Sequence, residues 1–135
     1  MIQALIIDDE KNAIEVLELQ LSRYCKQVQV LATAQGGVQG IELIRKYQPD
    51  LVFLDIEMPQ LNGFDLLDRL GKHESDVIFT TAYNQFAIKA FKACALDYLL
   101  KPIDPDDLKG AVQKAMNKKS TVSTEQLELL MSYIK

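Results

Sequence analysis

Four short stretches carry the side chains most able to do chemistry. They are Asp8-Asp9-Glu10, Asp55 closing the apolar run Leu51-Val-Phe-Leu54, Thr80-Thr81-Ala82 after Val77-Ile-Phe79, and Lys101-Pro102 after Asp97-Tyr-Leu-Leu100. A carboxylate at the end of a buried run is costly unless something compensates its charge. Acids brought close together repel, and without a cation at least one has its pKa raised. A hard divalent cation resolves this conflict. Mg²⁺ takes oxygen ligands from one or two carboxylates, keeps several waters and accepts a phosphate oxygen. Asp8 and Asp9 can supply its acidic seat. Asp55 then has two uses, as a ligand or as a nucleophile that forms an acyl phosphate. Lys101 can meet phosphoryl oxygens as a point charge, and Thr81 can donate a hydrogen bond to one. Together these residue types suit phosphoryl transfer, which is mostly positioning and charge neutralisation.

Each stretch alone has a plainer explanation. Adjacent acids open helices, Lys-Pro makes turns, and threonine favours strands. What gives them weight is joint placement, and that depends on the elements that carry them. Apolar, β-branched runs at 4–7, 28–34, 51–54, 77–81 and 97–100 alternate with stretches of helical period. This alternation predicts an α/β fold, a doubly wound five-stranded parallel sheet with helices on both faces. In such sheets functional groups gather beyond the carboxyl ends of the strands. All four stretches stand at those ends.

Ile14, Leu17, Leu21 and Tyr24 predict the first helix, and Ile41, Ile44 and Tyr47 a second that stops before Pro49. A third is expected over 64–70, ending at Gly71, and a fourth over 85–93 with Phe86, Ile88 and Phe91. The fifth is the best specified: Asp104 caps it, Pro105 suits its first position, and Leu108, Ala111, Val112, Ala115 and Met116 form one stripe. A polar linker follows, and Ser123 to Gln126 reads as a capping box opening a last amphipathic helix.

The chain has 135 residues and a formal net charge of −4. One domain is expected at that length, and the negative charge argues against unaided binding to a nucleic-acid backbone. No apolar run nears the roughly 18 residues of a membrane span, and the N-terminus lacks the features of a signal peptide, so a cytoplasmic location without membrane contact is expected. Cys25 and Cys94 read as reduced thiols in or near the core. Lys109, Lys114, Lys118 and Lys119 read as helix-end, solvated charges, and His73 as a surface residue.

The motifs IIDDE, FLDIEMPQLNG, FTTAY and DYLLKP resemble, in order and interval, those of the receiver domain of two-component response regulators. The segment FTTAYNQFAIKAFKACALDYLLKPID further resembles receivers of the LytR/AlgR type, usually followed by a LytTR DNA-binding domain. The resemblance implies a flavodoxin-like sheet of order 2-1-3-4-5. It also implies a receiver over 1–118 and, over 119–135, a linker and helix leading to an output domain absent from this chain. Asp55 would accept a phosphoryl group from a sensor histidine kinase. Asp9, Asp55 and the backbone carbonyl of Glu57 would hold Mg²⁺, with Asp8 acting through water. Thr81, Ala82 and Lys101 would sense the phosphoryl group, and Tyr98 would switch with Thr81. The Lys101-Pro102 bond would be cis, and Gly63 would permit a tight turn after Pro59.

Glu57 and Tyr83 flank the expected path of the hydrolytic water, so they would tune self-dephosphorylation. The face around the fourth helix, fifth strand and fifth helix would form a phosphorylation-dependent homodimer contact. Beyond its own phosphorylation and dephosphorylation, no enzyme activity is expected. Other readings are a stand-alone receiver acting by protein contact, a degenerate receiver, a flavodoxin-like FMN carrier, and a phosphatase of the haloacid dehalogenase class. The phosphatase would want an Asp where Glu57 stands. The FMN carrier would want a neutral loop where Asp8-Asp9-Glu10 stands.

Overall fold

A computed structural model of the chain describes residues 1–118; the expected linker and capping-box helix over 119–135 lie outside the described residues. The strands are β1 (Ile2–Ile7), β2 (Val28–Ala34), β3 (Leu51–Asp55), β4 (Asp76–Thr81) and β5 (Asp97–Leu100). The α-helices are α1 (Lys11–Tyr24), α2 (Gly37–Tyr47), α3 (Gly63–Leu70), α4 (Ala87–Lys92) and α5 (Pro105–Asn117). The sheet is all parallel with order β2-β1-β3-β4-β5. This is the expected doubly wound, flavodoxin-like architecture.

Alternate residues of the central strands feed two cores. Leu5, Ile7, Val52, Leu54, Val77 and Phe79 pack with residues of α2, α3 and α4. Ala4, Ile6, Leu51, Phe53, Ile78 and Leu99 pack with residues of α1 and α5 on the other face. Because both faces are covered, all five residues of β3 are buried, which is why its sequence runs apolar without alternation. A close approach on the first face depends on Gly40 of α2, where a Cβ would meet Ile7 at 2.8 Å.

The helix predictions hold best where caps and stripes agree. The Asp104 side chain accepts a hydrogen bond from the Asp106 N–H at 2.7 Å, and Leu108, Ala111, Val112 and Ala115 of α5 are buried. At the ends of the stripes, Tyr24, Tyr47 and Met116 are exposed. The expected fourth helix is instead a 3-10 turn, Asn84–Phe86, followed by the short α4. Its Ile88 is 57% exposed and Ala90 is its buried residue, so the aromatic spacing overstated the core contact. Cys25 is buried as expected, but Cys94 is exposed in the turn before β5 with a left-handed φ of 61°.

Candidate functional site

Parallel strands bring their carboxyl ends to one edge, and three of those ends meet here. β1 stops at Ile7, and the Asp8 N–H still donates to the Ala34 carbonyl at 3.0 Å, which fixes the start of the acidic loop. The Asp8 carboxylate accepts from the Glu10 N–H at 2.9 Å, turning the chain into α1. Asp55 is the last residue of β3 and is 3% exposed. One carboxylate oxygen each from Asp8, Asp9 and Asp55 lies within 4.8 Å of the others.

Lys101 enters from the end of β5. Its N–H donates to the Thr81 carbonyl at 2.7 Å, the bond to Pro102 is cis, and its Nζ lies 2.7 Å from Asp8 Oδ2 and 3.6 Å from Asp55 Oδ1. The nearer partner is therefore Asp8. Burial alone would lower the Lys101 pKa, but the hydrogen bond to Asp8 and the charges of Asp55, Asp8 and Glu10 outweigh it and raise it. One ammonium does not neutralise three acids. Burial and then the Asp8 charge push the Asp55 carboxyl up to about 8, against the opposing pull of Lys101, with Asp9 adding to the rise. This donor set suits a hard divalent cation: carboxylate oxygens only, converging, with a raised pKa that a cation would relieve.

Thr81 is fully buried, and its Oγ1 accepts from the Tyr83 N–H at 3.2 Å. The Tyr98 hydroxyl donates to the Tyr83 carbonyl, so the loop after β4 is tied to both Thr81 and Tyr98. Burial raises the Tyr98 pKa, opposed by the backbone of Phe86, which hydrogen-bonds to the hydroxyl. Ala82 and Glu57 are exposed, and Tyr83 is 48% exposed with its ring edge-on to Phe86 at 6.5 Å. Glu57 lines an open cavity of about 380 Å³, together with Ile56, Met58, Phe64, Phe86 and Lys89.

The structure thus brings Asp8, Asp9, Asp55 and Lys101 together and ties Thr81 to Tyr98 through Tyr83. It sharpens the expectation for Gly63, whose N–H closes the turn after Pro59 by donating to the Ile56 carbonyl at 2.8 Å. Gly63 opens α3, and the left-handed turn falls on Gln60 at φ 70°. A Cβ at Gly63 would lie 2.7 Å from the Asp55 carbonyl oxygen, so close backbone approach is what requires glycine. Sequence inspection missed Lys89, whose Nζ sits 4.6 Å from the Phe64 ring centroid. No local pattern signals that contact, because its partner lies on α3.

Residues 4–113 match the family model of the response regulator receiver domain. The chain belongs to that family. Receiver domains serve phosphorylation-based two-component signalling and are signalling modules rather than conventional enzymes. The receiver is 43% identical over 126 residues to an uncharacterized response regulatory protein of Vibrio cholerae, covering 91% of this chain and 53% of that protein. It is 37% identical over 121 residues to the transcriptional regulatory protein BtsR of Escherichia coli, covering 89% of this chain and 50% of BtsR. The chain thus spans about half the length of these curated relatives. Among solved structures, a response regulator receiver domain protein from Clostridium thermocellum matches with a TM-score of 0.78 at 31% identity, covering 88% of this chain and 97% of that one. The REC domain of AraT from Geobacillus stearothermophilus matches with a TM-score of 0.76 at 30% identity, covering 87% and 94%. Among the described residues no helix is long and apolar enough to cross a membrane.

Proposed function

We propose that Asp55 is the phospho-acceptor of this receiver. A carboxylate oxygen of Asp55 attacks the phosphorus of a phosphohistidine on a sensor kinase; the new P–O bond forms as the P–N bond breaks, and the imidazole leaves with that electron pair. The carrying observation is the placement of Asp55, buried at a strand end, within 4.8 Å of two other acids and 3.6 Å from the Lys101 ammonium. Asp9, Asp55 and the Glu57 backbone carbonyl would hold Mg²⁺, with Asp8 through water. Bound there, the ion would neutralise charge on the acids and on the phosphoryl oxygens. Lys101, now shared between Asp8 and Asp55, moves onto a phosphoryl oxygen, while the Thr81 hydroxyl and the Ala82 backbone supply further contacts. Labelling from acetyl phosphate with Mg²⁺ tests this reading. Stable, stoichiometric label that disappears in Asp55→Ala supports it; turnover of free phosphate esters points to the phosphatase alternative.

Phosphorylation acts on a two-state element only through contacts that differ between the states. Tyr98 and the loop held by Thr81 are that element, and the α4–β5–α5 face is its readout. That face forms a homodimer contact, so beryllofluoride with Mg²⁺ raises the dimer fraction in sedimentation; an unchanged monomer contradicts the dimer. The Tyr83 ring slows the receiver's self-dephosphorylation by obstructing water, the Glu57 side chain beside that path tunes it, and Tyr83→Ala shortens the label's lifetime. An unchanged lifetime removes Tyr83 from this role.

The whole protein is of the LytR/AlgR type, cytoplasmic, with the receiver over 1–118. Residues 119–135 lead to a LytTR output domain that binds DNA and regulates transcription. The likeness to BtsR and the greater length of the relatives support this division. Sequencing the gene beyond the codon for Lys135 tests it; a stop codon there would favour the stand-alone alternative.

A further inference from the structure

Lys101 reaches the acids from the loop Lys101-Pro-Ile-Asp104, between β5 and the first turn of α5. Proline supplies no N–H, so Pro102 and Pro105 leave this stretch few donors with which to tether itself. Its upstream end is held where the Lys101 N–H meets the Thr81 carbonyl, and its downstream end where Asp104 caps α5. Between them, Gln20 of α1 intervenes from 83 residues away: its Nε2–H donates to the Ile103 carbonyl at 2.8 Å. The Ile103 side chain packs on the α1–α5 core. Gln20 Oε1 is buried and has no hydrogen-bond partner among the described residues. An apolar side chain would fill the same place without leaving an acceptor bare. Packing alone therefore does not account for an amide here, whereas donation to the loop does.

We propose that Gln20 is a positioning residue for Lys101. By fixing the Ile103 carbonyl, two residues downstream, it limits pivoting of the loop about the Thr81 tie. It thereby sets the reach of the Lys101 ammonium toward Asp55 and any phosphoryl group carried there. The proposal rests on the phospho-acceptor reading above.

The test is a double-mutant cycle on the full chain, read by calorimetric titration of beryllofluoride at saturating Mg²⁺. Gln20→Met keeps volume and removes the donor; it should weaken binding by about two- to tenfold, the net worth of one hydrogen bond. Gln20→Lys, which restores a donor, should recover most of that loss. In a Lys101→Ala background, Gln20→Met should have no further effect, whereas a merely structural role would add the same loss again. If Gln20→Met does not fold, Gln20→Asn, which keeps the amide but shortens its reach, goes through the same cycle. Wild-type binding in the donor-free variant, or an undiminished loss without Lys101, overturns the proposal. If the wild type shows no Asp55-dependent binding at all, the phospho-acceptor reading falls and this inference with it.

Discussion

Helices α4 and α5 cover the same edge of the sheet from opposite faces, yet they bury very different amounts of side chain. α5 runs Pro105–Asn117, is capped by Asp104, and places Leu108, Ala111, Val112 and Ala115 in the core. Two lysines bind it to the sheet, Lys114 to Asp97 of β5 at 3.1 Å and Lys118 to Asp76 of β4 at 2.6 Å. α4 has six residues, follows a 3-10 turn, lacks a side-chain cap and buries Ala90 alone. Elements with few buried contacts open at the lowest free energy. One edge of the sheet thus carries a firmly held helix on one face and a loosely held one on the other. If Asp55 is phosphorylated as proposed, the new charge would meet less resistance toward α4 than toward α5. The Tyr98 hydroxyl contact with the Tyr83 carbonyl lies on the compliant side.

The largest expected effect separates the acidic seat from both helices. With its folded pKa near 8, Asp55 binds a proton in the native state across a range where the unfolded chain, with an ordinary carboxyl near 4, does not. Stability without metal should therefore fall as pH rises from about 4 to about 8, by up to on the order of 5 kcal/mol before relaxation. Urea unfolding across that range checks the sign, and Asp55→Asn should flatten the profile. Mg²⁺ should restore stability most at the alkaline end, where the seat is ionised.

Next in size is Leu108→Ala in α5, a fully buried leucine, which should cost about 2–5 kcal/mol in the same measurement. Loss of the α5 cap in Asp104→Ala should cost about 1 kcal/mol. The smallest is Ile88→Ala on exposed α4, expected within about 0.5 kcal/mol of wild type. A cost for Ile88→Ala comparable to that of Leu108→Ala would erase the contrast between the helices.

Much of this arrangement was legible in the sequence because it rests on local pattern. β2 and β5 have the expected bounds, and Asp8, Asp9, Asp55 and Lys101 converge because parallel strands place their ends together. Less legible were features that depend on partners far along the chain. Lys114 and Lys118 look like solvated helix-end charges, yet they pair with Asp97 and Asp76. Gly63 suggests a turn, but the constraint is the Asp55 backbone against it. Phe86 and Phe91 suggest a core-facing fourth helix, yet both are half buried and the segment divides into a 3-10 turn and a short helix. Spacing along one segment identifies a face; it does not say how much of the sheet remains for that face to cover.

The central claim, that charge arriving at Asp55 is expressed through α4 while α5 holds, is tested most directly by amide hydrogen exchange with and without beryllofluoride and Mg²⁺, at a concentration low enough to keep the receiver monomeric. Exchange should change over 82–92 and around Tyr98, with 108–115 unaltered. Equal changes in both helices, or a response in α5 alone, would contradict it.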